Sequence, residues 1–169
     1  MKNITISFLN QKGGVGKSST VFHLGGYLAS AGFSVLMIDA DPQGSLGNGY
    51  FGAAEIENLS STETLAAIFD DECVAPPPET LCVPTMLENV GLVRANHQLA
   101  RHNIPAPEQS GVKQFAIRSY LEELLENLPF DFVLIDCPPN LYQCSWNALV
   151  ASDFVIIPVP PEDFGAQGL

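Results

Sequence analysis

The chain has 169 residues, 46% of them apolar and 15% charged, and its 7 Lys and Arg against 19 Asp and Glu give a net charge of −12. That is long enough for one domain with a sizeable core, and the composition is globular rather than disordered. No apolar run approaches the roughly eighteen residues of a transmembrane helix, and the acidic balance is a poor footprint for gripping DNA, which takes clustered basic residues.

Met1-Lys2 leads directly into the apolar run Ile4-Thr5-Ile6-Ser7-Phe8-Leu9 without a signal-peptide pattern, so a cytoplasmic location is expected. Cys73, Cys82, Cys137 and Cys144 lack paired C-x-x-C spacing and read as small apolar residues in a reducing compartment. After the run comes Asn10-Gln11-Lys12-Gly13-Gly14-Val15-Gly16-Lys17-Ser18-Ser19, followed by Val21, Leu24, Gly25 and Leu28 at helical spacing.

Strand, Gly-rich loop and helix in that order make a phosphate cradle. Glycines let successive backbone N–H groups point inward, and the helix N-terminus adds its positive end. Lys12, Gly13, Gly14, Val15, Gly16, Lys17, Ser18 and Ser19 are the expected nucleotide-binding set. Lys17 is placed to reach the β- and γ-phosphates, and the Ser18 hydroxyl to ligate Mg²⁺. The strict pattern G-x-x-x-x-G-K-[ST] is not met, because Gln11 stands at its first Gly, and a second lysine, Lys12, lies inside the loop.

Lys-Gly-Gly-Val-Gly-Lys-Ser over residues 12–18 resembles the deviant Walker A loop of the ParA/MinD superfamily of ATPases. The resemblance implies that Lys12 contacts the nucleotide held by the partner subunit of an ATP-bound dimer. A second cation there would stabilise charge developing on phosphoryl transfer, as an arginine finger does in trans.

Residues Ser18 to Ala31 read as a helix ended by Gly32, and Phe33 to Ile38 as a strand buried on both faces. Asp39-Ala40-Asp41-Pro42-Gln43-Gly44-Ser45 follows, on the edge where open α/β sheets bind ligands. Two residues apart, Asp39 and Asp41 would share a face if the chain stayed extended. The stretch resembles the family's second motif, switch I, worded like the ParA partition branch. The resemblance implies that Asp41 positions or polarises the attacking water and that Asp39 supports Mg²⁺ through its water shell.

Gly44 to Ser61 reads as a loop, Leu65 to Phe69 as a short capped helix and Ala75-Pro76-Pro77-Pro78 as a stiff connector. Thr80 to Thr85 and Val90 to Arg94 are strand candidates. His23, His97 and His102 are too scattered for a metal site. A helix is expected over Val112 to Asn127, with Phe115, Ile117, Leu121, Leu124, Leu125 and Leu128 on its apolar side.

The third motif is Phe130 to Pro139, an apolar strand ending in Asp136 in the manner of Walker B. Mg²⁺ keeps several waters, and Asp136 would hold one of them. Cys137-Pro138-Pro139-Asn140 resembles the ParA switch II loop, with Asn140 where Ser is common. The iron–sulfur protein of nitrogenase shares this superfamily, but the Gly-rich surroundings of its cluster cysteines are absent here. A short helix around Trp146 to Leu149 and a further buried strand, Asp153 to Val159, complete the pattern.

The expectation is a single α/β domain over residues 1–169, a doubly wound, mostly parallel sheet with helices on both faces. Resemblance places the end of the chain where roughly a third of the family's domain would still follow. It implies a ParA-like partition or positioning ATPase that uses ATP and Mg²⁺, dimerises on ATP and hydrolyses slowly until a ParB-like or other adaptor stimulates it. Non-specific DNA binding, and with it nucleoid association, is expected of a longer form, and membrane binding is not. The rival readings are an ATP-dependent ligase or synthetase of the same superfamily, such as the dethiobiotin synthetase type, and a non-hydrolysing interaction fragment.

Overall fold

A computed structural model describes residues 3–70 and 76–161. Cys73, Ala75 and the final Glu162 to Leu169 therefore lie outside the described residues, as does any helix expected there.

Six strands form one sheet in the order β3-β4-β2-β5-β1-β6. They are β1 (Ile4–Phe8), β2 (Val35–Asp39), β3 (Cys82–Pro84), β4 (Val90–Val93), β5 (Phe132–Asp136) and β6 (Phe154–Ile156). All neighbouring pairs are parallel except β3 with β4. The central strands are covered on both faces, so they read as unbroken apolar runs rather than alternating ones; every residue of β2 is buried.

Four helices do most of the covering. Helix α1 (Lys17–Ser30) and the shorter α2 (Ser45–Phe51) lie on the face holding Phe8, Val35, Met37 and Leu134. The short helices α3 (Ala53–Glu57) and α4 (Pro78–Leu81) come next in the chain. On the opposite face α5 (Ala116–Asn127) and α6 (Gln143–Ala151) pack over Leu36, Ile38, Val133 and Ile135. This is the doubly wound arrangement expected from the sequence.

Several boundaries differ from expectation for identifiable reasons. Residues 44–61 are not a plain loop: α2 and α3 form there, with Leu46, Tyr50 and Ile56 buried. Their Gly and Asn content masks a usable apolar spacing. Residues 65–69 are a 3₁₀ helix, and Thr80 and Leu81 close the helical turn α4, started by Pro78 at its N-terminus.

The expected helix over 112–127 begins as a 3₁₀ turn, Gly111–Phe115, and becomes α-helical only at Ala116. That break in phase turns Phe115 outward, while Leu128 lies past the helix end, and the two are 44% and 39% exposed. Ile117, Tyr120, Leu121 and Leu124 carry the buried face instead. The expected buried strand at 153–159 is shorter and exposed: Phe154, Val155 and Ile156 are 61%, 44% and 38% accessible. As the sheet's edge strand, β6 has a strand partner on one side only among the described residues.

No helix among the described residues is long and apolar enough to cross a membrane.

Candidate nucleotide site

Parallel strands align the ends of β1, β2 and β5 at one edge. Phe8, Asp39 and Asp136 terminate those strands in register. The loop after β1 therefore emerges beside both acidic strand ends. It is pinned at its start, where Asn10 Nδ2 donates to the Pro158 carbonyl at 2.9 Å and Asn10 Oδ1 accepts the Lys12 N–H at 2.9 Å. Gly14 and Gly16 have φ of 74° and 89°. Side chains are strained in that left-handed region, so the curl of the cradle depends on glycine. Gly16 also caps α1, and its carbonyl takes the Thr20 N–H at 2.8 Å.

Lys17 opens α1 and is only 7% exposed; its Nζ reaches back over the loop to the Lys12 carbonyl at 3.3 Å. The amine thus hangs above the loop interior, where a phosphate would supply better acceptors. A cavity of about 610 Å³ opens there, lined by Gly13, Gly14, Gly16, Lys17, Ser18 and Ser19 on one wall and Asp41, Gln43, Ser45 and Pro139 on the other. Lys12 is exposed, and neither Lys12 nor Val15 lines that cavity.

The two strand-end aspartates have separate surroundings. Asp39 is fully buried; its Oδ2 accepts the Leu46 and Gly47 N–H groups at 2.9 and 3.3 Å, and its Oδ1 accepts the Asp41 N–H at 3.2 Å. It satisfies the otherwise unpartnered N–H groups of the first turn of α2, so its oxygens are taken up inside the protein. Asp41 does not share a face with it, because the strand stops at Asp39 and residues 41–44 turn. Asp41 Oδ1 accepts the Gln43 N–H at 3.0 Å and Asp41 O the Gly44 N–H at 2.9 Å.

Asp136 is fully buried beside Ser18, yet neither of its oxygens takes a well-formed hydrogen bond. Burial pushes its carboxyl up to about 7, reinforced by Asp41 and offset by the Ser18 hydroxyl and Lys17. Burial, then the neighbouring Asp136, raises Asp39 as well. A buried carboxylate without partners is costly in itself. Next to a hydroxyl, a lysine and a phosphate-shaped loop, it fits the donor set of Mg²⁺, which takes one or two protein oxygens and keeps its waters.

Loop, lysine, hydroxyl and orphan carboxylate thus share one edge of a doubly wound sheet. A family model described as an AAA domain, AAA_31, matches residues 3–169. The chain belongs to this family, which is of the ParA/MinD type. The chromosome partitioning protein ParA of Caulobacter vibrioides is 35% identical over 164 residues, covering 97% of this chain and 58% of that protein. The sporulation initiation inhibitor protein Soj of Bacillus subtilis is 37% identical, covering 97% of this chain and 61% of Soj. The crystal structure of cobyrinic acid a,c-diamide synthase from Mycobacterium smegmatis, with bound ADP and magnesium, superposes with a TM-score of 0.81 and 31% identity, covering 99% of this chain and 64% of that one. The chain therefore spans about 58% of the length of its ParA relative.

Four residues that shape the site were given no role there by the sequence. Phe22 and His23 line the cavity from the second turn of α1, and Phe22 stacks on Tyr50 of α2 with ring centroids 4.6 Å apart. Their signal was present, since α1 must lean on whatever follows switch I, but that segment had been read as a loop. Asn10 and Asn96 act through backbone bonds to distant segments, and no local pattern announces such bonds.

Proposed function

We propose that this AAA_31 chain binds MgATP and works as a ParA-like partition or positioning ATPase. The observation that carries the reading is the buried, unpartnered Asp136 carboxylate beside Ser18 under the phosphate loop. The loop N–H groups and Lys17 hold the phosphates, and Ser18 and Asp136 hold Mg²⁺ and its waters. Bound Mg²⁺ would neutralise charge on the phosphate oxygens. Asp39, expected to support the metal's water shell, holds α2 in place instead and acts on the site through the switch I turn. Asp41, on the cavity wall, orients the attacking water. Lys12, exposed at the loop's rim, reaches the nucleotide of a second subunit in an ATP-bound homodimer. Hydrolysis is slow until a ParB-like or other adaptor stimulates it, and DNA contact belongs to a longer form, which would associate with the nucleoid.

Calorimetric titration with ATP, with and without Mg²⁺, tests the core of this. Binding that strengthens at least tenfold with Mg²⁺ is expected; binding indifferent to Mg²⁺ would remove Asp136 from its role, and no binding would leave a non-hydrolysing interaction fragment. The structural likeness to a synthase favours one second reading, ATP-dependent activation of a small acid. Turnover that rises with a small carboxylic acid, and not with an adaptor protein or DNA, would select it.

A further inference from the structure

The segment leaving β4 touches the Asp41 turn at Gly44 and braces the stretch that follows it. The Arg94 carbonyl accepts the Leu65 N–H at 2.8 Å, and its guanidinium lies 3.4 Å from the Glu55 carboxylate and 5.6 Å from the centre of the Phe51 ring. The Ala95 carbonyl presses so close to Gly44 that a Cβ there would stand 2.6 Å away, and Gly44 is left-handed with φ 64°. Asn96 is 2% exposed and its amide is fully engaged: Nδ2 donates to the carbonyls of Ile56 and Leu59 at 3.0 and 2.9 Å, and Oδ1 accepts the Gln98 N–H at 3.1 Å. Gln98 Nε2 adds a second donor to Leu59 O at 2.9 Å.

Those carbonyls belong to the end of α3 and the turn after it. Final carbonyls of a helix have no partner within it, and a helix of five residues cannot hold itself. The Leu59 N–H reaches the Ile56 carbonyl at 3.3 Å, and the Asn96 side chain adds a shorter bond to it at 3.0 Å. Ile56 in turn packs on Gly47, where a Cβ would stand 2.8 Å from its Cδ1, and Gly47 lies in the first turn of α2, whose N–H groups rest on Asp39. The Asp41–Gly44 turn leads directly into that helix. An unbroken set of contacts therefore runs from Asn96 through Ile56 and Gly47 to the turn that carries Asp41.

We infer that Asn96, assisted by Gln98, is a positioning residue for Asp41, clamping α3 so that the switch I turn stays fixed against the phosphate loop. This rests on Asp41 serving the attacking water as proposed above. A buried amide that merely held the fold together would lower stability and leave turnover per bound nucleotide alone. The clamp acts on one segment, and removing it should uncouple hydrolysis from binding.

The test uses the full 169-residue chain, Asn96→Ala and the milder Gln98→Ala, well below their unfolding temperatures. ATP affinity, single-turnover hydrolysis and amide hydrogen exchange over residues 41–59 are measured. Asn96→Ala should raise exchange over that segment about tenfold or more while β5 and α1 keep parental protection. ATP affinity should stay within about threefold, while hydrolysis per bound ATP falls at least about tenfold. Gln98→Ala, which removes one bond of three, should fall between, and it carries the test alone if Asn96→Ala does not fold. Parental exchange over 41–59 would overturn the inference, as would loosened exchange with parental hydrolysis. If the parent chain binds but does not turn over ATP, the hydrolytic reading fails separately. Exchange then decides the clamp: loosening confined to 41–59 supports it, and parental or global exchange overturns it.

Discussion

Asp39 and Asp136 end adjacent parallel strands in register, yet Asp39 gives its oxygens to three backbone N–H groups while Asp136 gives its own to none. Asp39 holds the start of α2, whereas Asp136 stays buried without a hydrogen-bond partner. Burial raises both carboxyls, with Asp136 adding to the rise at Asp39 and Asp41 to the rise at Asp136.

The raised Asp136 carboxyl makes stability depend on pH in a definite direction. Its folded value is about 7 against an ordinary 3.8, so between those values the folded chain holds a proton that the unfolded chain has already lost. Stability without metal should therefore fall as pH rises from about 4 to about 7, and stay at its lower level above that. Asp136→Asn removes this contribution. Thermal melts in a chelator should show the variant with a flatter pH profile and a higher midpoint than the parent at about pH 8. Parallel profiles for the two proteins would mean that Asp136 ionises without strain.

Lys17→Ala should abolish ATP binding, weakening it by about 100-fold or more. The amine is buried above the loop interior and no other lysine lines that cavity. Calorimetry returning parental affinity would break the phosphate-loop assignment.

Asp41→Ala should instead spare binding and lower hydrolysis by at least about tenfold, because its carboxylate borders the cavity without supporting the loop. Single-turnover rates with radiolabelled ATP would read this directly, and parental turnover would remove Asp41 from the water's path.

Much of this site was legible beforehand because its parts are local. Glycines at forced conformations, a lysine and serine at the helix start, and acids at the ends of apolar strands each announce themselves within a few residues. The doubly wound class follows from the same runs, since a parallel sheet buries its central strands on both faces, whereas the order of the strands is set by pairings across the chain. What the sequence concealed depends on contacts across the chain. The separate surroundings of Asp39 and Asp136 need α2, whose amides come from Leu46 and Gly47, and α2 was hidden in a Gly-rich stretch. The exposure of β6 follows from its place at the sheet's edge, which an apolar run by itself does not encode.

Duplex DNA should bind this chain weakly or not at all at physiological salt. Beyond the net charge of −12, its arginines are engaged: Arg94 is turned inward to Glu55 and Phe51 with 11% of its side chain exposed, Arg101 pairs with Asp70, and Arg118 lies 3.0 Å from Glu122. Arg94 is thus poorly placed for a phosphate contact. Fluorescence anisotropy with a labelled duplex should give a Kd weaker than about 10 μM, and nanomolar binding with a steep salt slope would contradict the reading.

Lys12 distinguishes this loop from an ordinary phosphate loop, and its placement sets the sharpest test. Lys17 is buried above the loop interior, whereas Lys12 is exposed at the rim, outside the cavity lining, with its backbone held by Asn10. A lysine that served only its own subunit's phosphates would be expected to face the cavity. If Lys12 reaches a second subunit, Lys12→Ala should keep monomeric ATP affinity within about threefold and lose ATP-induced dimerisation. An Asp41→Ala background suppresses turnover, so that light scattering with MgATP reports mass alone. The Asp41→Ala parent should double its mass, while the Lys12→Ala, Asp41→Ala double variant should remain a monomer. A double variant that dimerises as well as its parent would place Lys12 outside the subunit interface, and a large loss of affinity in the monomer would assign it to its own nucleotide.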